Sequence, residues 1–144
     1  MPVERLDHYS IRTTDLEASR HFYTTVLGFQ VGPRPPFNFP GLWIYAGEPI
    51  AGSNGVVHII GIDPNNPEGL KAYLGDKDEA SLSGTGTVDH IAFTATGLAD
   101  MRRRCQQLAV ATRERTVPAL GLHQMFLEDP SGVTIELNYP ASEA

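Results

Sequence analysis

The sequence is short of several things, and each shortage closes a class of explanation. Its 144 residues include a single cysteine, Cys105, so no internal disulfide staples the chain, and a reducing cytoplasm is the expected compartment. Basic residues are outnumbered, with 11 Lys and Arg against 17 Asp and Glu for a net charge of −6. A nucleic-acid partner needs a basic face for its phosphates, so none is expected. No apolar run approaches the roughly 18 residues of a membrane span. The opening MPVERLDHYS lacks the apolar core of a signal peptide, and a membrane location is not expected. Charged residues reach only 19% against 41% hydrophobic, a globular balance. The length suits one domain over residues 1–144, able to bury roughly 70% of its unfolded surface. A small-molecule ligand stays open, because a locally positive pocket can sit in an acidic protein.

What the chain does have is an internal repeat. LDHYSIRTTDL at 6–16 has a counterpart in VDHIAFTATGL at 88–98. An offset of 82 carries Asp7-His8 onto Asp89-His90, Leu16 onto Leu98, Arg20 onto Arg102, and Leu42-Trp43-Ile44-Tyr45 onto Gln124-Met125-Phe126-Leu127. Further on the register slips, and Gly55-Val56-Val57-His58 comes to lie against Gly132-Val133-Thr134-Ile135-Glu136.

Each half reads as a strand, a helix and three strands. Residues 6–12 alternate apolar and polar, as a half-buried strand does. Thr14-Asp15-Leu16-Glu17 has the spacing of a capping box. Leu16, Phe22, Tyr23, Val26 and Leu27 give the following helix an apolar stripe, and Gly28 suits its C′ position. Strands are expected near 29–32, 42–46 and 55–61, then near 87–95, 112–117, 122–128 and 133–139, with a second helix near 98–109. Asp129-Pro130-Ser131-Gly132 marks a turn. The expected class is α+β: two tandem βαβββ modules, 4–62 and 85–140, joined by a connection at 63–84 in which Glu68 to Leu74 form a short helix. A Pro-rich loop at 33–41 carries Phe37 and Phe39 outside the repeat.

Side chains two apart on a strand share a face. His8, Ser10 and Arg12 therefore point one way and Tyr9 and Ile11 the other; His90, Ala92 and Thr94 oppose Ile91 and Phe93; Thr134, Glu136 and Asn138 oppose Val133, Ile135 and Leu137. Two imidazoles and a carboxylate at repeat-equivalent places point to a concave functional face. Cys105 reads as a small core residue and His21 as solvent-facing, while the face of His123 is left unassigned.

On the segments DHYSIRTTDLEASRHFYTTVLGF, DHIAF and FLEDPSGVTIEL, the chain resembles the vicinal oxygen chelate superfamily, which includes glyoxalase I, methylmalonyl-CoA epimerase, extradiol dioxygenases and the fosfomycin and bleomycin resistance proteins. The resemblance implies a concave sheet around one divalent metal ion (Fe, Ni, Zn, Mn or Co), with His8, His90 and Glu136 at the family's ligand positions. His58 falls where glyoxalase I-like sequences carry a Glu ligand and epimerase-like ones a Gln, so it stands as a fourth ligand or a free base. Arg12, four residues after His8, matches an arginine that grips a substrate carboxylate in glyoxalase I-like sequences. Trp43 and Phe39 are candidate pocket walls. The implied activity is a glyoxalase I-like lyase or isomerase on a small-molecule substrate, in which the metal holds two adjacent oxygens and Glu136 moves a proton. An extradiol-type Fe(II) dioxygenase is the alternative, and a metal-free drug-sequestering protein a third reading of another class. Several short members of the superfamily are dimers, and a homodimer is expected.

Overall fold

The computed structural model describes residues 6, 8–49, 55–75, 83–85, 88 and 90–144. Asp7, Asp89 and part of the 63–84 connection, on which the repeat and module boundaries partly rest, lie outside the described residues. The chain divides into two compact units, Met1–Ser83 and Gly84–Ala144.

In the first unit β1 (Tyr9–Thr13) is followed by α1 (Leu16–His21), β2 (Gln30–Gly32), β3 (Gly41–Tyr45), β4 (Val57–Gly61) and α2 (Glu68–Leu74). The second runs β5 (Ile91–Thr94), α3 (Leu98–Gln107), β6 (Arg113–Val117), β7 (Leu122–Glu128) and β8 (Thr134–Pro140). The sheets have equivalent orders, β1-β4-β3-β2 and β5-β8-β7-β6. Within each, the first strand lies parallel to the last and the other pairs are antiparallel. The parallel pair is possible because a helix and two strands lie between its members in the chain. This is the α+β arrangement of two tandem modules.

Alternation along the strands decides which face each sheet buries. In the first unit Ile11, Ile44, Val57 and Ile59 turn inward with Tyr23 and Val26, and the Tyr9 hydroxyl donates to the Tyr23 hydroxyl at 3.2 Å. In the second, Met125, Ile135, Leu137 and Tyr139 are buried with Leu98 and Cys105 of α3. Burial pushes the Cys105 thiol up, as suits an inert core residue.

Helix α1 starts one residue later than the capping box implies. Asp15, not Thr14, is the N-cap, its Oδ1 accepting from Ala18 N–H at 3.0 Å. Thr13 Oγ1 in turn accepts from Asp15 N–H at 3.0 Å. A carboxylate at that end caps and also complements the helix dipole, which favours Asp15 over its neighbour. After one and a half turns the helix widens into a π segment, Phe22–Val26. The β-branched run Thr24-Thr25-Val26 resists tight α packing, and Thr24 Oγ1 donates to the Arg20 carbonyl at 2.7 Å. Gly28, at φ 75°, then ends the helix in the left-handed conformation expected of a C′ glycine.

The repeat changes its offset before β3. Trp43 faces His58 across β3 and β4, and Phe126 faces Glu136 across β7 and β8. Trp43 therefore corresponds to Phe126, not to Met125: the offset is already 83 at β3, because the loop before it has a different length. A one-residue slip exchanges the two faces of a strand, so this correction decides which side chains share the open face.

Candidate metal centre

On the open face of the first unit, ring systems are stacked side by side. His58 and Trp43 are cross-strand partners, with ring centroids 4.1 Å apart and planes 7° from parallel. On its other side His58 meets His8, at 3.8 Å and 17°. His58 is thus sandwiched between two rings, which fix its plane. The row continues into the Pro-rich loop, where Phe37 lies 6.5 Å from Trp43 and stacks on Phe39 at 5.2 Å. Arg34 covers both phenylalanines, at 5.0 and 5.2 Å, and donates to the Phe39 carbonyl at 2.9 Å. Phe39 is buried. Arg12, opposite Ile60 in register, is half-buried on the same face as His8.

The open face of the second unit is polar. Glu136 is buried, yet both of its oxygens are engaged. Oε1 accepts from Gln124 Nε2 and Asn138 Nδ2, each at 2.8 Å. Oε2 lies 3.0 Å from Nε2 of His90. Gln124 also donates to Asn138 Oδ1 at 3.0 Å and accepts from Arg115 Nε at 2.7 Å. The two amides hold the carboxylate plane and leave the other oxygen aimed at the imidazole edge. A metal bonded to a histidine nitrogen and a carboxylate oxygen at about 2.1 Å, in adjacent positions, puts those atoms about 3 Å apart. The His90–Glu136 pair therefore fits either a hydrogen bond or two ligands of one ion.

The register explains the contrast. Gly41 and Ile60 occupy the places in the first unit that Gln124 and Asn138 occupy in the second. Without amides, His58 is held by rings; with them, Glu136 is held by hydrogen bonds.

The four candidate ligands stand as two pairs, His8 with His58 in the first unit and His90 with Glu136 in the second. Among the described residues no three His, Cys, Asp or Glu gather as a metal-holding group. His8 and His58 differ from the second pair in aim: face-stacked rings send their nitrogens out in parallel, whereas ligands of one ion converge on it. For both to bind one ion, a ring must turn out of the stack.

On the opposite face of β6 and β7, His123 is buried, with Nε2 2.6 Å from Glu114 Oε2 and Nδ1 2.8 Å from Thr116 Oγ1. A neutral ring carrying its proton on Nε2 satisfies both contacts. Arg102 of α3 donates to the same Glu114 oxygen at 2.7 Å. The hydrogen bond from Arg102, helped by His123, holds the Glu114 carboxyl below the usual range. His123 thus ties β6 to β7 on the face away from Glu136.

Gln124 was not among the candidate residues of the sequence. Its only signal was the alternation that puts it in phase with Phe126, and the uncorrected offset hid that.

A model of the Glyoxalase/Bleomycin resistance protein/Dioxygenase superfamily matches residues 5–137. Glyoxylase I 4 of Arabidopsis thaliana is 27% identical over 140 residues, spanning 92% of this chain and 68% of its own length. A fosfomycin resistance protein of Listeria monocytogenes, solved as a mutant with Mn(II) and 1S,2S-dihydroxypropylphosphonic acid, superposes with a TM-score of 0.66 at 15% identity, covering 98% of this chain and 95% of its own. An antibiotic-binding protein from a Streptomyces species gives 0.62 at 19% identity, covering 97% and 98%. Likeness at these identities carries the fold, on which several chemistries are built.

Proposed function

The chain belongs to the Glyoxalase/Bleomycin resistance protein/Dioxygenase superfamily, and we propose that it is a metal-dependent enzyme that takes a small substrate by two adjacent oxygens, as a glyoxalase I-like lyase or isomerase. The observation that carries this reading is Glu136: a buried carboxylate with one oxygen fixed by two amides and the other 3.0 Å from His90. Such bracketing by neighbours is what orients a ligating carboxylate. His8, His90 and Glu136 would hold one ion of Fe, Ni, Zn, Mn or Co, which imidazole and carboxylate donors suit. When bound, the ion polarises the oxygens it chelates. Glu136 then accepts a proton from one carbon and returns it to the next. Arg12 would grip a distal carboxylate, and Trp43 and Phe39 would wall the pocket. The curated Arabidopsis relative supports the glyoxalase-type assignment.

A second reading, an Fe(II) extradiol-type dioxygenase, is favoured by the His58 sandwich. Kept parallel to His8, His58 stands off the ion, and three protein ligands leave room for a catecholate and O2. His58 would then act as the base. With His58 as a fourth ligand, an octahedral ion has two positions left, enough for a chelating substrate only.

The deciding assay loads the protein with Fe(II) or Ni(II) and offers catechols under air, and separately the methylglyoxal–glutathione hemithioacetal. Thioester formation without oxygen uptake supports the lyase. Oxygen uptake with ring-cleavage product in the Fe(II) form alone supports the dioxygenase. Protein that takes up neither metal but retains an antibiotic would be a binder, like its Streptomyces neighbour.

A further inference from the structure

Strand β6 reads Arg113-Glu114-Arg115-Thr116, and alternation sends its charges to opposite faces. Glu114 and Thr116 point to His123, as described above. Arg113 and Arg115 share the open face with Glu136. The register sets out two rows across the sheet: Ala92, Glu136, Phe126, Arg113 in one, and Thr94, Asn138, Gln124, Arg115 in the next. With strands about 4.8 Å apart, the backbone of Arg113 lies about 10 Å from that of Glu136.

Both guanidinium groups rest on the ring of Phe126, at 4.5 Å for Arg113 and 5.2 Å for Arg115. Arg115 is also fixed by its bond to Gln124 Oε1 at 2.7 Å. Among the described residues neither arginine is paired with a carboxylate, although acidic residues exceed basic ones in this chain by 17 to 11. Both are exposed. In the first unit the place of Arg113 is taken by Gly32, opposite Trp43, so the repeat does not require a cation there. Two positioned, unpaired forks on one ring are what recognises an oxyanion.

We propose that Arg113 and Arg115 form an anion subsite that takes a carboxylate or phosphate-type group of the substrate, with Phe126 as its floor. This deepens the proposed function: the substrate is a small molecule with adjacent oxygens at one end and an anionic group at the other, within two strand spacings, at most about 10 Å. Arg115 and Glu136 are bonded to the same amide, Gln124.

The test follows the arginine side-chain N–H resonances of the whole, isotope-labelled protein as inorganic phosphate, and separately acetate, is added at constant ionic strength. Saturable shifts at Arg113 and Arg115 are expected. Removing both charges (Arg113→Gln with Arg115→Gln) should weaken binding roughly tenfold or more, as loss of charge-assisted bonds does. Arg103→Gln, on α3, should leave it within about twofold. The tighter of the two probes tells which anion class the site prefers. Loss of binding in Arg103→Gln with none in the double variant would overturn the proposal, as would shifts no larger than chloride produces. Glu136→Ala separates this inference from the metal reading: it should abolish metal uptake and preserve phosphate binding. Phosphate binding in a chain that takes up no metal would sink the metal reading alone.

Discussion

At the scale of single residues, the candidate centre depends on how two side chains are restrained. Glu136 is oriented by Gln124 and Asn138, so mutating an amide tests how the carboxylate is held. Gln124→Ala removes a donor from Oε1 and the acceptor for Arg115. Metal affinity should fall roughly 10–100-fold, the usual effect of losing a partner that orients a ligand, with the fold kept; calorimetric metal titration against circular dichroism checks both. His58 is restrained by rings instead. Trp43→Ala deletes one side of its sandwich, freeing the imidazole to turn. If His58 is a ligand held back by stacking, Trp43→Ala should raise metal affinity several-fold; if it is a base whose plane matters, turnover should drop with affinity unchanged.

At the scale of elements, β6 is fixed from behind. Glu114 accepts from Arg102 of α3 and contacts His123 of β7, and its pKa is lowered in the folded protein, first by Arg102. A carboxylate whose folded pKa lies below its unfolded one adds stability above the unfolded value, and that stability is lost as pH falls through the folded value. Melting temperature should therefore fall below about pH 4.3 more steeply in the natural protein than in Glu114→Gln. Parallel curves would show that the network contributes nothing. Helix α3 has a second support: Glu143 Oε2 accepts from the N–H groups of Gly97 and Leu98, both at 2.8 Å. Glu143→Ala should cost about 1 kcal/mol, as loss of a side-chain cap does, read from a denaturant melt.

The elements were largely legible in the sequence because period-2 and period-3.6 patterns are written locally. The helix expected at Glu68 to Leu74, the C′ role of Gly28 and the faces of His8, His90 and Glu136 follow from such patterns. What the sequence hid depends on pairing between strands. The equivalence of Trp43 and Phe126, and hence the roles of Gln124 and of Arg113 with Arg115, needs the register, which loop lengths before β3 and β7 obscure. The π segment was likewise hidden, since an apolar stripe continues through it.

At the scale of the whole molecule, the two copies of the repeat have diverged on their open faces. One unit presents imidazoles on an aromatic row, the other a carboxylate and imidazole on a polar row with two arginines beyond. We propose that the chain forms a homodimer. Light scattering at micromolar concentration should give twice the chain mass of 15.7 kDa; a monomer with full activity would refute this. Among the described residues no helix is long and apolar enough to cross a membrane.

We propose that this chain binds a divalent ion through His90 and Glu136. This is tested most directly by metal stoichiometry on protein purified without chelator, then titrated with Ni(II), beside His90→Ala and Glu136→Ala. One ion per chain is expected in the natural protein, with affinity lost by roughly 100-fold or more in each variant, as removal of a direct ligand exceeds the effect of an outer partner. Binding undiminished in both variants, or no uptake by the natural protein, would contradict it.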